Sequence, residues 1–297
     1  KTTHRIAVAC AFIAGFFVSE AQPLANRPNI LFAISDDQSY PHASAYGCRG
    51  IRTPAFDRVA EGGVLFRTCI AGSPGCSPSR ASLLTGRYHW MIEHAGTHAS
   101  KFDAKYATFP DLLEKAGYWV GYTGKGWGPG NYRDGGFKRN PAGPGFSSKK
   151  KNPRIKGISS TDYAANFDDF LKQRPDGKPF CFWLGGHEPH RVFEKGIGLK
   201  QGKKLEDAEV PAFLPDTPEI RSDILDYYAE IEWFDSHLAR ALHPPEARGE
   251  PGDPHKDDVD AERRGNRFVF ARGIEDALNG VCDKIQNSPP MTTTGTL

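Results

Sequence analysis

Short apolar runs alternate with amphipathic segments between residues 29 and 184 of this 297-residue chain. The runs NILFAIS, GVLFRTCIAG, WVGYTG and PFCFWLGG have the length of buried strands, and segments with helical spacing lie between them. Thr53 before Pro54 marks one helix start, Thr108 marks another, and residues 218–242 carry a long apolar stripe that should pack on the sheet. We therefore predict an α/β fold with a mostly parallel central sheet flanked by helices.

Reactive side chains follow the predicted strands at the points where they end. Asp36 and Asp37 come after the first strand, Lys125 after the third and His187 after the fourth. Cys76 follows the second strand and opens a predicted helix. The carboxyl ends of parallel strands form one edge of a sheet, where ligands bind in open α/β folds. The sequence therefore predicts that these five residues share one site.

The first 21 residues have the composition of a secretory signal peptide. Lys1 and Arg5 precede an apolar stretch of about a dozen residues, and small residues follow at Ser19 and Ala21. This stretch is too short to span a bilayer, and a buried N-terminal helix is the alternative. We expect an exported protein, periplasmic or secreted, with no membrane span after signal cleavage. The net charge of +2 gives no indication of a nucleic-acid partner.

The cysteine count suggests a chemical role for one thiol. Cys10 would leave with the signal peptide, and five cysteines would remain in an oxidising compartment. An odd number leaves one thiol without an intramolecular partner. Cys76 could instead pair with Cys69 or Cys48, or several cysteines could be buried apolar side chains.

Cys76 also begins the string CSPSRASLLTGR, in which Pro78 and Arg80 complete a C-x-P-x-R pattern. This string resembles the signature of the type I sulfatases, and the resemblance extends over residues 27–242, the expected catalytic domain. The segments GYTGKGWGPG and HEPHR make the chain most similar to the heparan N-sulfatase (sulfamidase) group. The resemblance implies the alkaline phosphatase-like fold. It also implies that a separate maturation enzyme oxidises Cys76 to Cα-formylglycine (3-oxoalanine).

The resemblance assigns a role to each reactive residue. One hydroxyl of the hydrated Cys76 aldehyde would attack the sulfuryl sulfur, and deprotonation of the other would expel sulfate. Arg80 would hold the formylglycine hydroxyl, and Lys125 would contact a sulfate oxygen. His187 would contact the sulfate and protonate the leaving group. Lys125 as a plain surface lysine, and His187 with His190 as loop histidines or a transition-metal pair, are the alternatives.

Asp36 and Asp37 match paired carboxylates that bind Ca²⁺ in the family, with the modified Cys76 as a further ligand. Calcium takes oxygen ligands and would polarise the sulfate oxygens, whereas an ordinary turn is the alternative for this Asp pair. The sequence departs from the family pattern at Trp127, where a histidine is common; an aromatic ring there could line a sugar pocket. His94 and His98 are expected on the surface.

The chain changes character after His243. Residues 243–297 are rich in charge, proline and glycine, which predicts a disordered or solvated tail. The Asp-Asn-Gly that completes the calcium shell in longer family members does not occur in this sequence. We interpret the catalytic domain as truncated, with a frame-shifted tail as one explanation.

Taken together, the resemblance implies a sulfuric ester or sulfamate hydrolase that acts on a sulfated carbohydrate such as a glycosaminoglycan. One alternative is a truncated, non-catalytic homologue that binds sulfated glycans through the basic run at residues 149–156. Another is a phosphomonoester or phosphonate hydrolase of the same superfamily.

Overall fold

A single parallel sheet forms the centre of the computed structural model, which describes residues 27–243 and 267–271. Its strands are β1 at Ile30–Ile34, β2 at Trp119–Gly124, β3 at Phe180–Gly185 and β4 at Arg267–Ala271. Their order in the sheet is β2-β3-β1-β4, and β1 pairs in parallel with β3 on one side and β4 on the other. The predicted α/β class with a parallel sheet is confirmed.

Helices cover both faces of this sheet. They are α1 at Pro54–Glu61, α2 at Cys76–Thr85, α3 at Phe109–Lys115, α4 at Tyr163–Gln173, α5 at Ile197–Lys200 and α6 at Pro218–Leu242. Short 3₁₀ turns lie at Ser44–Tyr46, His89–Met91, Glu93–Gly96 and Leu205–Asp207. No helix in the described part of the chain is long and apolar enough to cross a membrane.

Strand β1 shows why the sheet is apolar on both faces. Leu31 and Ala33 pack with residues of α4 and α6, whereas Phe32 and Ile34 pack with residues of α2 on the opposite face. Successive side chains of a strand point to opposite faces, so a strand covered by helices on both sides reads as a continuous apolar run. This packing explains why NILFAIS does not alternate with polar residues.

The start of α1 is capped by a residue that is distant in sequence. Thr53 occupies the N-cap position, but its side chain makes no capping bond; its hydroxyl contacts Ser44 Oγ at 2.8 Å. Asp235 of α6 instead accepts the N–H groups of Ala55 and Phe56 at 3.0 and 2.9 Å. The predicted helix is confirmed, while the carboxylate that satisfies its free N–H groups comes from a packed neighbour.

The prediction of a strand at GVLFRTCIAG, residues 63–72, is wrong. These residues form no regular element, and Val64, Phe66 and Ile70 are exposed by 75%, 50% and 71%. A strand requires a hydrogen-bonded neighbour, and none of the four described strands pairs with this segment. Cys76 therefore does not follow a strand, although it still opens a helix.

One segment of the C-terminal tail is described by the structure. Residues Arg267–Ala271 pair with Ile30–Ile34 as β4, so the prediction of a disordered tail fails for these five residues. The composition argument missed them because a short edge strand needs only one paired neighbour. The predicted signal peptide, residues 1–21, and the rest of the tail lie outside the described residues.

Candidate active site

Three of the predicted site residues lie at the carboxyl edge of the sheet. Asp36 follows β1, Lys125 follows β2 and His187 follows β3. Backbone hydrogen bonds continue beyond the strand ends: the Asp36 N–H donates to the Glu188 carbonyl and the Lys125 N–H donates to the Gly185 carbonyl, both at 2.9 Å. These two hydrogen bonds fix the backbone of Asp36 and Lys125, and so the positions from which their side chains extend.

Asp36 forms the buried centre of the site. Its side chain is fully buried, and its two carboxylate oxygens pair with Arg80, at 3.2 Å, and with Lys125. Burial acts to raise the pKa of Asp36, but the positive charges of Arg80 and Lys125 outweigh it, and the pKa is lowered. The sequence placed Asp36 and Lys125 at one edge of the sheet, and the structure brings their charged groups into contact and adds Arg80 to them.

Arg80 connects helix α2 to the ends of β1 and β2. It is fully buried, and besides Asp36 it donates to the carbonyl oxygens of Lys125 at 2.7 Å and Gly126 at 3.1 Å. Its Nε atom is buried without a hydrogen-bond partner among the described residues. Most of its donors therefore organise the site itself, and Nε is the donor that a bound group could still use.

Asp37 lies at the surface beside the buried carboxylate. It adopts a left-handed backbone with φ of 59°, which aspartate tolerates better than most residues. Its Oδ2 atom lies 3.6 Å from Nε2 of His190. Burial and the negative charge of Asp36 raise the pKa of Asp37 above its ordinary value. The two carboxylates thus differ in environment: Asp36 is neutralised by cations, whereas Asp37 is turned towards solvent.

Cys76 is the first residue of α2 and is buried. Its Sγ atom lies 3.6 Å from Nε2 of His98, a contact between residues 22 positions apart. All four described cysteines, Cys48, Cys69, Cys76 and Cys181, are free, so the disulfide alternatives for Cys76 are wrong. Cys10 and Cys282 lie outside the described residues.

The backbone of His187 is held by Tyr163, which is hydrogen-bonded in turn to Glu188. Its backbone N–H donates to the Tyr163 hydroxyl at 3.0 Å, and that hydroxyl donates to Oε2 of the buried Glu188 at 2.8 Å. Desolvation, followed by the positive charges of Lys125 and Arg80, lowers the pKa of His187 to about 4. The imidazole is therefore neutral near pH 7 unless a bound anion raises its pKa.

The sequence suggested that Trp127 could line a sugar pocket, but the structure buries its side chain. It is 3% exposed, and its indole N–H donates to the Ser77 carbonyl at 3.1 Å. Its ring packs against Phe102 and Tyr132 in the apolar cluster beneath α2. The Trp127 ring therefore stabilises the first turn of α2, to which its indole N–H is hydrogen-bonded.

Sequence reasoning missed three residues at this site. His98 is exposed as predicted, yet its imidazole lies against Cys76. Tyr163 and Glu188 are buried, and sequence reasoning assigned neither of them a role, although Glu188 lies within HEPHR. Only Glu188 could have been found from the sequence, because it is adjacent to His187. The contacts of His98 with Cys76 and of Tyr163 with His187 join residues that are distant in sequence.

A sulfatase family model matches residues 28–247, which is more than half of the chain. The chain belongs to the sulfatase family. It is 35% identical over 182 residues to the N-acetylglucosamine-6-O-sulfatase of Bacteroides thetaiotaomicron, covering 56% of this chain and 31% of that protein. It is 28% identical over 264 residues to human N-sulphoglucosamine sulphohydrolase, covering 80% of this chain and 50% of that protein. The chain thus spans half or less of the length of these relatives.

The fold of this sulfatase family member matches that of solved structures. One of them, described as in complex with its substrate D-glucosamine-2-N,6-O-disulfate, aligns with a TM-score of 0.57 at 21% identity. The alignment covers 83% of this chain and 65% of the other. The implied alkaline phosphatase-like fold is confirmed by such neighbours.

The residues at the site offer part of a calcium shell. Asp36 and Asp37 provide carboxylate oxygens, the ligand type that calcium prefers, and a cation would offset the burial and the negative charge of Asp36 that together raise the pKa of Asp37. Calcium takes six to eight oxygens, more than two carboxylates supply. Among the described residues, no cluster of three or more His, Cys, Asp or Glu is arranged to hold a metal ion. The donor type therefore fits calcium, while the donor number is incomplete.

Proposed function

We propose that this protein is an exported hydrolase that removes sulfate from a sulfuric ester or sulfamate on a sulfated carbohydrate. The observation that carries the proposal is the position of Cys76 at the first turn of α2, one helical turn before Arg80, whose guanidinium contacts Asp36. The family membership and the names of the relatives support the same reaction class.

The site is suited to a tetrahedral anion. Gly75, the N-cap residue of α2, makes no side-chain capping hydrogen bond, so the first-turn N–H groups of Cys76 and Ser77 and the positive end of the helix dipole lie at this end of the helix. The cations of Arg80 and Lys125 lie at the same edge of the sheet. Fixed donors and cations stabilise charge that develops during group transfer, without reorganising at the moment of reaction. We assign Arg80 to holding the formylglycine hydroxyl and Lys125 to holding a sulfate oxygen.

We further propose that a formylglycine-generating enzyme oxidises Cys76. The hydrated aldehyde would supply a hydroxyl nucleophile and a second hydroxyl through which sulfate can be expelled. His187, held by Tyr163, would hydrogen-bond the bound sulfate and give a proton to the departing oxygen. Because its pKa is about 4 in the described structure, this transfer requires the negative charge of the substrate to raise it.

Asp36 and Asp37 would hold one Ca²⁺ together with the modified Cys76. The ion would supply a positive charge that polarises the sulfate oxygens. In the described structure both oxygens of Asp36 are paired with cations, so Lys125 would turn from this carboxylate towards the substrate. The remaining ligands would come from residues other than those described.

A surface next to the site supports a sulfated carbohydrate as substrate. The run at residues 149–156 contains four lysines and one arginine and no acidic residue, and all five cations are exposed. Just beyond it, the Ser159 N–H donates to Oε1 of Glu188 at 2.8 Å, which ties this loop to the neighbour of His187. A polyanionic chain that enters the site would pass near these cations.

The proposal is tested by co-expressing the protein with a formylglycine-generating enzyme and measuring sulfate release from an aryl sulfate and from N-sulfated and 6-O-sulfated glucosamine. Peptide mass spectrometry establishes the oxidation state of Cys76, and Cys76→Ala is the matched control. We expect release that depends on Cys76 and falls when EGTA removes calcium.

Three results would contradict the proposal, each in a different way. Turnover no higher than that of Cys76→Ala would favour the non-catalytic homologue. Cleavage of phosphate or phosphonate esters far faster than sulfates would favour the phosphomonoester or phosphonate hydrolase. An unmodified Cys76 thiol in an active preparation would overturn the formylglycine chemistry.

A further inference from the structure

A groove opens on the surface between residues 191–205 and the first turns of α6. Its volume is about 440 Å³, within the range of pockets that hold small molecules. Five apolar side chains line it: Val192, Phe193, Leu199, Leu205 and Pro218. The residues assigned to sulfate transfer and to calcium are not among its lining residues. The groove is therefore a second concave surface, separate from the site of the reaction.

The groove adjoins the candidate active site through the loop that follows β3. His190 Nε2 lies 3.6 Å from Asp37, and Phe193, three residues further on, is at most about 11 Å of extended chain away. Tyr227 of α6 makes a second connection. Its hydroxyl accepts the N–H of Ser39 at 2.8 Å, and its ring centroid lies 6.0 Å from that of Phe193. A substrate bound at the site could therefore extend into the groove.

The charges along the groove suit an uncharged ligand. Two cations, Arg191 and Lys195, line it together with three carboxylates, Glu219, Asp223 and Asp226. Arg191 is paired with Asp223, with Nη1 at 2.9 Å from Oδ1. An anion would meet an excess of negative charge here, which selects against it. Carboxylates and guanidinium groups do hydrogen-bond hydroxyl groups, and apolar side chains cover the C–H face of a sugar ring.

On its other side the groove adjoins the basic run at residues 149–156. The Lys156 N–H donates to Oε2 of Glu194 at 3.0 Å. Gly157 packs so closely on the Val192 carbonyl that an added Cβ would collide with it. Val192 itself is 78% exposed in the groove wall. The groove thus lies next to cations that would attract the sulfates of a longer chain.

We propose that the groove binds the uncharged sugar that is joined to the sulfated sugar of the substrate. The ring would pack on Val192 and Phe193, and its hydroxyls would hydrogen-bond to Ser222 and to the pair of Arg191 and Asp223. A uronic acid at the same position is disfavoured by the negative charge. This inference rests on the proposed function and narrows its substrate class to sulfated glycans in which the sulfated sugar is linked to a neutral one.

The experiment compares Ser222→Trp with the parent protein, both co-expressed with a formylglycine-generating enzyme. The substrate is the N-sulfated or 6-O-sulfated glucosamine that the parent hydrolyses, supplied alone, joined to galactose or joined to glucuronic acid. We expect the parent to have about a tenfold higher kcat/KM for the galactose disaccharide than for the other two. The indole of Ser222→Trp would fill the groove and remove this preference.

Ser236→Trp is the matched control, because Ser236 is an exposed serine of the same helix, about 21 Å further along its axis. It should keep the parental preference. Formylglycine content measured in each protein shows that Cys76 was oxidised to the same extent.

Asp223→Asn tests the charge selection. It releases Arg191 from its ion pair, so kcat/KM for the glucuronic acid disaccharide should rise about tenfold relative to the galactose disaccharide. Asp216→Asn is the control, since Asp216 is also an exposed acid paired with an arginine, Arg221, but does not line the groove. It should leave the ratio of the two disaccharides unchanged.

A binding measurement separates this inference from the proposed function. The unsulfated disaccharide of glucosamine and galactose is added to Cys76→Ala, and saturation-transfer NMR should show contact of the galactose ring, which a second substitution, Ser222→Trp, abolishes. No such contact, or a parental preference retained by Ser222→Trp, overturns the groove assignment while sulfate release still supports the proposed function. If the parent releases no sulfate from any substrate, the proposed function fails, and galactose contact that depends on Ser222 still supports a neutral-sugar site.

Discussion

Glu230 is a buried acid whose raised pKa should limit stability at neutral pH. It lies on α6 and is 1% exposed, and neither carboxylate oxygen has a hydrogen-bond partner among the described residues. Burial, with a smaller contribution from the charge of Glu188, raises the pKa of Glu230 from 4.5 to about 8. A carboxylate in such surroundings is costly to ionise, so the proton is retained in the folded state far above the pH at which the unfolded chain loses it.

The sign and size of the effect follow from linkage. A folded-state pKa above the unfolded value means that the contribution to stability is complete below about pH 4.5 and is lost as the pH rises through about 8. At about 1.4 kcal/mol for each pH unit, the loss is about 3 kcal/mol by pH 7, of which about 2 to 3 kcal/mol arises above pH 5. This is a large share of the stability of an ordinary domain.

Glu230→Gln removes the ionisable carboxyl group while retaining the shape of the side chain. Unfolding in urea, followed by the fluorescence of the five tryptophans, gives the free energy of unfolding at several values between pH 5 and pH 8. The difference between variant and parent should shift in favour of the variant by about 2 to 3 kcal/mol from pH 5 to pH 7. The cost of burying the amide is the same at every pH and adds only a constant offset.

Glu219→Gln is the control for this measurement. Glu219 is an exposed acid in the first turn of the same helix, and its pKa is lowered by hydrogen bonds to its own backbone N–H and to Thr217. Removing it should give no stabilisation that grows with pH. A difference between Glu230→Gln and the parent that stays constant from pH 5 to pH 8 would refute the argument, because Glu230 would then titrate alike in the folded and unfolded states.

Two further predictions concern activity. Tyr163→Phe removes the hydroxyl that accepts the His187 N–H and donates to Glu188. In steady-state kinetics, kcat for an aryl sulfate should therefore fall about tenfold or more with little change in KM. A change in KM alone would contradict this prediction. Replacing Lys149, Lys150 and Lys151 by serine should raise KM for a sulfated polysaccharide, but not for an aryl sulfate, and the effect should diminish with added salt. The exposed pair Lys172 and Lys178, replaced in the same way, serves as control, and equal effects of the two sets would show that only net charge matters.

The sequence by itself determined the layers of the fold and the edge of the sheet at which three of the predicted site residues lie. Apolar runs of strand length between amphipathic helices require a parallel sheet covered on both faces, and β1, β2 and β3 formed where the runs predicted them. Parallel strands present their carboxyl ends at one edge, so Asp36, Lys125 and His187 could be placed together without coordinates. Local periodicity and end signals suffice for this, because both depend on residues close together in the chain.

Only the tertiary structure decided which groups touch. The capping of α1 by Asp235, the contact of His98 with Cys76 and the link from Tyr163 to Glu188 join segments that no local pattern relates. The apolar run at residues 63–72 has strand composition but no paired neighbour among the described strands, and it stays irregular. A strand needs a neighbouring strand, and a hydrogen bond needs a partner group. Where that partner lies depends on how the helices pack on the sheet, and the preferences of individual residues do not specify this packing.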